Sequence, residues 1–486
     1  MDELVSLVKI MSVGEKRMLK HMLSRTTNAE ENLRLRLFEL LEGSGNIDDA
    51  VKPLMASTSK SSFSHLKSRL KEDILSVLLV KESSKRIAQA NRAAQFECVK
   101  KIAQAYVLIF RGAKTQGAEI LRSAKALAVK YELTGELLSI NHIEREAFYS
   151  FSDVETIAAM NADLRDNLNV WSDILKSEEL SFYITLPQFK EQLSDSKNGF
   201  EGKIIDDLNE LYEKSHTSRI GFWYYMAATE FHTTRKNFET VVTLGRDFLE
   251  LVEKSPAIRS KNNMAGVNQT VGFAQMELRQ FAEAIKHFSV SEKLFPAGGF
   301  NRLQSLHFLA LSEIGTQDVE AALLTVGKAL GHPRITAREH LLPQWRFIKA
   351  SVQFLLADME SCFKTLSQDG YLLKQQDEWN IQFRILEMLV LVELKDEEWL
   401  EFKLDATRKF LTRHKNLDTP RVRAAIDLIS NLLRKELDFD ELSEKNLELL
   451  KRCTEEAEGY EWNPSGVEMV RFDFWVEKKL PTQAAE

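Results

Sequence analysis

Residues 268–296, NQTVGFAQMELRQFAEAIKHFSVSEKLFP, decide how the chain is read. Their apolar spacing predicts two short helices running antiparallel around a tight turn. Gly272 and Ala274 are small residues on the first helix, where a partner helix must come close. Phe281 closes the turn, Ala284 and Phe288 fall on the inner face of the second helix, and Pro296 ends it. A hairpin of this pattern cannot bury its apolar face alone, so it has to stack on neighbours of its own kind. Such an array offers surface, and binding is its expected mode of action.

Related pairs lie on both sides. In residues 222–256 the turn is Asn237-Phe238, and Val241, Gly245 and Phe248 take the inner positions. In residues 303–333 the turn at 316–319 is followed by Ala322, Val326 and Ala329; in residues 342–366, Trp345, Ile348 and Val352 precede Cys362 and Leu366. The matched positions Val241, Ala284, Ala322 and Cys362 are 43, 38 and 40 residues apart. Residues 379–394, 397–412, 421–437 and 441–458 read as four more helices, with Thr419-Pro420 as a start signal for the third. The aromatic segment 467–480 reads as a terminal cap over the last repeat. Towards the N-terminus, Gly117, Leu121 and Ala124 repeat the small–large–small spacing of Ala284, Phe288 and Ser291, which suggests a degenerate pair over 98–131. Residues 136–149 and 154–175 read as the next pair. Residues 1–85 read as a separate helical unit: Ser12 and Glu15 form a capping box, Met18, Leu19 and Met22 share a face, and Leu66, Leu70, Ile74, Leu75 and Leu78 follow at helical spacing. The polar stretch 186–202 is the best candidate linker. The expected division is a helical unit at 1–85, degenerate pairs at 86–186, repeats at 203–375, and helical repeats with a cap at 376–486.

Composition agrees with helix. Only 9 prolines and 20 glycines occur in 486 residues, below the usual roughly 5% and 7%. The chain is 44% hydrophobic and 28% charged, as in a soluble globular protein. Cys98, Cys362 and Cys453 are far apart and read as small buried residues in a reducing compartment. No targeting leader is visible at the start, and the most apolar late run, 385–394, contains Glu387 and Glu393 and is too short to cross a bilayer. A cytoplasmic location without a membrane role is the default expectation. The net charge of −7 conceals an asymmetry: residues 1–130 carry +9 and the rest −16.

Residues 268–296 resemble the tetratricopeptide repeat (TPR), a family of stacked helix–turn–helix units. The family's first-helix Gly matches Gly272, its turn aromatic Phe281, its Ala Ala284, its second-helix aromatic Phe288 and its closing Pro Pro296. Its Trp and Leu are replaced by Asn268 and Val271, and its Tyr by Gln275. The match is weaker in the units on either side and absent from residues 1–85. The resemblance implies a superhelix whose concave face binds a peptide or a partner helix. The expected fold is therefore all-α: an α-α superhelix, a TPR-like right-handed solenoid of antiparallel helix pairs, with an N-terminal helical unit and a C-terminal capping helix.

No catalytic motif survives inspection, and the chain is not expected to be an enzyme. Gly112 and Gly117 have the spacing of a phosphate loop, but Ala118-Glu119 stands where Lys-Ser/Thr is needed, and the segment follows a helix. The ten histidines are dispersed; His332 and His340 flank a loop. Asp48-Asp49 and Glu397-Glu398 suit helix N-termini. No metal or cofactor is expected. Within 60–86, Lys60, His65, Lys67, Arg69, Lys71, Lys81, Lys85 and Arg86 form a basic stretch diluted by Glu72, Asp73 and Glu82, without the aromatic residues that stack on bases. A solvated face or a protein contact is favoured over nucleic acid.

Phe281, Phe288, Trp345 and Trp379 read as core. Other first-helix residues should point into the concavity: Met226 and Glu230; Gln269, Phe273 and Glu277; His307 and Leu311; Arg346 and Gln353. The preferred reading is a non-enzymatic scaffold or adaptor that binds a protein or peptide in this groove. The alternative is a regulator whose basic N-terminal helical unit binds nucleic acid while its repeats sense a partner. Neither reading fixes the partner's identity or the oligomeric state.

Overall fold

The computed structural model describes residues 2–25, 29–43, 58–80, 89–186, 199–337, 341–369 and 377–480, with isolated positions between 51 and 56. Most of the expected linker falls outside them, as do Asp48, Asp49, Lys81, Glu82, Lys85, Arg86 and His340. Among the described residues there is no strand. The chain forms two compact units, Met1–Ser172 and Asp173–Glu486.

In the first unit, α1 (Asp2–Ile10), α2 (Val13–Ser24), α3 (Ala29–Gly43) and α4 (Lys60–Val80) enclose Leu19, Leu37, Phe38, Leu70 and Ile74. The capping box of α2 is formed: the Glu15 N–H donates to Ser12 Oγ at 2.9 Å and the Ser12 N–H to Glu15 Oε2 at 2.6 Å. The buried face of α2 is turned from the expected one, with Leu23 inside and Met22 exposed. Likewise Val77, not Leu75, is buried on α4. Next come α5 (Ala90–Phe110), α6 (Lys114–Lys130) and α7 (Thr134–Phe148). Gly117, Leu121 and Ala124 are all buried, and a Cβ at Gly117 would lie 3.1 Å from the Ala105 carbonyl oxygen. Helix α8 (Val154–Thr185) runs ten residues beyond its expected end, and the division between the units falls inside it.

The second unit holds α9 (Phe200–Ser215) and then helix pairs: α10 (Ser218–Thr234) with α11 (Phe238–Lys254), α12 (Lys261–Glu277) with α13 (Phe281–Leu294), and α14 (Phe300–Gly315) with α15 (Val319–Leu330). After the short α16 (Pro333–Ala337) come α17 (Leu342–Leu355) with α18 (Met359–Asp369), α19 (Asp377–Glu393) with α20 (Glu397–Arg413), and α21 (Pro420–Arg434) with α22 (Glu444–Thr454). One device closes these pairs. The second residue after the first helix is left-handed without being glycine: Lys236, Arg279, Gln317, Ala357, Lys395 and Glu436. The next N–H then reaches the carbonyl five residues back, as from Gln280 to Gln275 (2.8 Å), Asp318 to Glu313 (2.9 Å) and Asp358 to Gln353 (2.9 Å). This is a Schellman closure, which satisfies helix-end carbonyls. The first four left-handed positions are 43, 38 and 40 residues apart, the intervals found for Val241, Ala284, Ala322 and Cys362.

Small residues set the packing distance. Ala284 and Phe288 are fully buried, and a Cβ at Gly272 would sit 3.0 Å from the Phe288 ring. Successive first helices also touch one another, α12 with α14, α17 with α19 and α19 with α21, more than the second helices do. The second unit therefore bends with its first helices inside.

The C-terminal segment reaches further than the last repeat. Helix α23 (Phe472–Glu477) places Trp475 on Phe354 and on Phe439, with its Nε1–H donating to Glu393 at 2.6 Å. Upstream, Glu456 pairs with Arg279 in the turn between α12 and α13, and Trp462 meets Phe281, the first residue of α13. Arg421 is 6% exposed and anchors this segment: it forks onto Glu468 (2.6 and 2.7 Å) and donates to Asp473 (3.0 Å) and to the Tyr460 carbonyl (2.9 Å). Arg471 links Asp473 to Glu456 (2.6 and 3.0 Å). Charges alternate along this chain of contacts, as a buried ionic network requires.

Candidate partner-binding groove

Counting back from each left-handed turn residue puts the inward positions in register. Ten residues before the turn stand Met226, Gln269, His307 and Phe347; six before stand Glu230, Phe273, Leu311 and Ser351. Exposure falls along both rows. Met226 is exposed, Gln269 and His307 are half-buried, and Phe347 is 3% exposed. Glu230 and Phe273 are half-buried, Leu311 is 6% exposed and Ser351 is fully buried. The inner surface is thus open along α10, α12 and the start of α14, and filled at α17. Above Gly266, on the open part, a Cβ would meet nothing within 4 Å.

The floor is aromatic. Phe273 meets Phe238 (6.2 Å between ring centroids) and Phe308 (5.3 Å); His307 meets Trp345 (5.9 Å) and Trp379 (6.4 Å). Phe308, Phe273 and Trp379 each keep part of their surface outside. Such edge and tilted contacts hold rings in fixed positions. Burial pushes the His307 pKa down to about 4, so the ring is neutral at physiological pH. Of the polar residues, Gln269 spends its amide inside the chain, donating to the Asn301 carbonyl (3.1 Å) and to Ser305 Oγ (3.0 Å). Glu277 differs: its Oε1 is buried without a hydrogen-bond partner among the described residues.

Two expected groove residues lie elsewhere. Leu311 belongs to the core, 6% exposed among its apolar neighbours. Gln353 is 8% exposed and accepts from Thr365 Oγ1 at 2.8 Å. Four residues before its turn, it aligns with His232, Gln275 and Glu313, the last of which likewise bonds a threonine of its second helix, and not with Leu311. Arg346 is half-buried at the filled end, away from Met226, Glu230, Phe273 and Glu277. Phe308 and Trp379 were missed as surface. Both are large apolar residues of first helices, which a sequence assigns to core by default.

Burial pushes the Cys98 thiol to about 11 and those of Cys362 and Cys453 to about 12, which removes thiolate character at neutral pH. A cavity of about 270 Å³ lies beside Gln382, Ile385, Arg421 and Phe472, but its arginine is already bound by Glu468, Asp473 and main-chain carbonyls. Among the described residues no group of His, Cys, Asp and Glu could hold a metal ion, and no helix is long and apolar enough to cross a membrane. On α4, Lys71 pairs with Glu3, and Lys67 lies over the Phe63 ring at 5.6 Å.

No protein family matches the chain, and no curated protein matches it. Solved structures similar to it include RapI in its apo form (11% identity, TM-score 0.47, covering 74% of this chain and 86% of that one). Another is a Rap protein complexed with Competence and Sporulation Factor (14% identity, TM-score 0.38, covering 79% and 98%). A third is a signal transduction ATPase with numerous domains and a tetratricopeptide repeat sensor from Pyrococcus horikoshii (14% identity, TM-score 0.41, covering 88% of this chain and 56% of that one). Helix pairs closed by one recurrent left-handed turn, stacked with small residues between them and first helices inside, make this chain a TPR-like helical repeat protein.

Proposed function

We propose that the chain is a non-enzymatic scaffold that binds a protein or peptide segment on the open part of its inner surface, between α10 and α14. The observation that carries this reading is the partly exposed aromatic floor, Phe273 and Phe308, beside the Glu277 carboxylate, whose buried Oε1 has no hydrogen-bond partner among the described residues. Buried acceptors are normally satisfied, and a donor from a bound segment would satisfy this one. Glu230 and Glu277 stand on this open part while Arg346 stands at the filled end, so the ligand favoured is an apolar segment with lysine or arginine close by. Apolar anchors with a polar surround concentrate binding energy in a few side chains.

The test is selection of displayed peptides by the full chain, followed by titration of the selected sequences. Enriched peptides should join aliphatic or aromatic residues to basic ones. Phe273→Ala should weaken them by about 2 kcal/mol or more, as expected for a hot-spot side chain, and Glu277→Lys should also weaken them, while helical content is unchanged. Selected peptides indifferent to both changes would refute this groove.

A further inference from the structure

A second surface lies in the first unit, on α5. Its buried face, Ala94, Cys98, Ala105 and Ile109, packs on α6 and α7. Another face carries Phe96, Val99, Ala103, Tyr106 and Phe110, at intervals of 3, 4, 3 and 4, with Val107 alongside. Val99 is 50% exposed, and Tyr106, Val107 and Phe110 are each 48% exposed. Single exposed apolar residues are ordinary, but a contiguous stripe marks an interaction surface. The alternating three-and-four spacing is the seam by which one helix receives another. The Tyr106 and Phe110 rings lie 4.5 Å apart and form a firm end to the stripe.

Charge narrows the occupant. Arg92 lies in line with the stripe one turn before Phe96, and Lys100 and Arg111 flank it on the side of Val107. The only acid of α5, Glu97, stands behind the basic edge, three residues before Lys100, and off the stripe itself. The opposite edge carries Gln95, whose amide donates to Glu136 on α7 at 2.7 Å. Two copies meeting antiparallel along this stripe would set basic edge against basic edge, which opposes self-association. We infer that α5 docks an amphipathic helix of another polypeptide, with apolar residues along its seam and carboxylates on the edge that meets Lys100 and Arg111. This surface is distinct from the groove of the second unit, and its failure would leave that reading intact.

A synthetic amphipathic helix tests this, with leucine at the seam positions and glutamate on both flanks, labelled for fluorescence anisotropy and titrated with the full chain. A second peptide with lysine in place of glutamate is the control. The glutamate peptide should bind and the lysine peptide should not. Binding should weaken at least about tenfold in the Val99→Glu/Tyr106→Glu variant and severalfold in Arg111→Glu, with unchanged circular dichroism. Absence of binding by the glutamate peptide, equal binding of both peptides, or indifference to these variants would overturn the proposal. Unfolding of the double variant would overturn it too, by showing that the stripe is core. A concentration-dependent dimer that the double variant abolishes would assign the stripe to a second copy of this chain and overturn it in that direction.

Discussion

Glu313 offers a direct test of how the helix pairs are held together. It sits on α14, 8% exposed, bonded to the Thr325 side chain, with Oε2 lacking a hydrogen-bond partner among the described residues. Burial pushes its pKa from the ordinary 4.5 to about 6. The folded state therefore favours the protonated acid. The contribution of this group is full below its unfolded pKa and is lost as pH rises through about 6. Once pH is well above 6, the gap amounts to about 2 kcal/mol of destabilisation. Glutamine already fills the equivalent position in the adjoining pairs, as Gln275 and Gln353, and Gln353 bonds Thr365 as Glu313 bonds Thr325. Glu313→Gln should therefore fit without repacking. The variant should exceed the parent by about 2 kcal/mol at pH 8, with the difference vanishing near pH 4. Urea titrations followed by circular dichroism at several pH values would measure this, provided the m-values agree. A difference that does not change with pH, or a parent more stable at pH 8, would refute the argument from burial.

Ala357 holds a left-handed conformation at φ 60°, which costs an L-residue about 1 kcal/mol or more; Ala357→Gly should recover about 0.5 kcal/mol net of the freer unfolded chain, while Ala357→Val should destabilise in the same titration. Ala284 is fully buried and Lys286 projects outward to Glu283; Ala284→Leu should cost about 1–3 kcal/mol by overpacking and Lys286→Leu almost nothing, and equal effects would refute the register. Removing Arg421 strands Glu468 and Asp473, so Arg421→Met should cost about 3–5 kcal/mol, seen as a lower melting temperature and earlier proteolysis of the C-terminal segment.

The hairpins were legible because their signals are local. Gly272, Ala284 and Phe288 recur with a period that a short window contains, and the Ser12–Glu15 capping box spans one turn. The intervals between inner positions also hold, since each depends only on the length of one helix pair. Registers slipped where a helix is apolar on more than one face. On α17, Trp345, Phe347, Ile348 and Val352, all buried, leave no clear polar side, so sequence spacing alone places Gln353 inward.

The sequence by itself determined the helix class, the pairs, their turns and their stacking, all set by side-chain periodicity and by small residues at close approach. Tertiary structure alone decided which inner residues meet solvent. Phe273 stays half-open while Leu311, its equivalent one repeat later, is buried, because exposure depends on the rotation between successive pairs, which no single pair encodes. It also decided where the C-terminal segment goes. Glu456 meets Arg279 across 177 residues, a closure that follows from the summed curvature of the intervening repeats and from alternating charges that cannot remain buried unless paired.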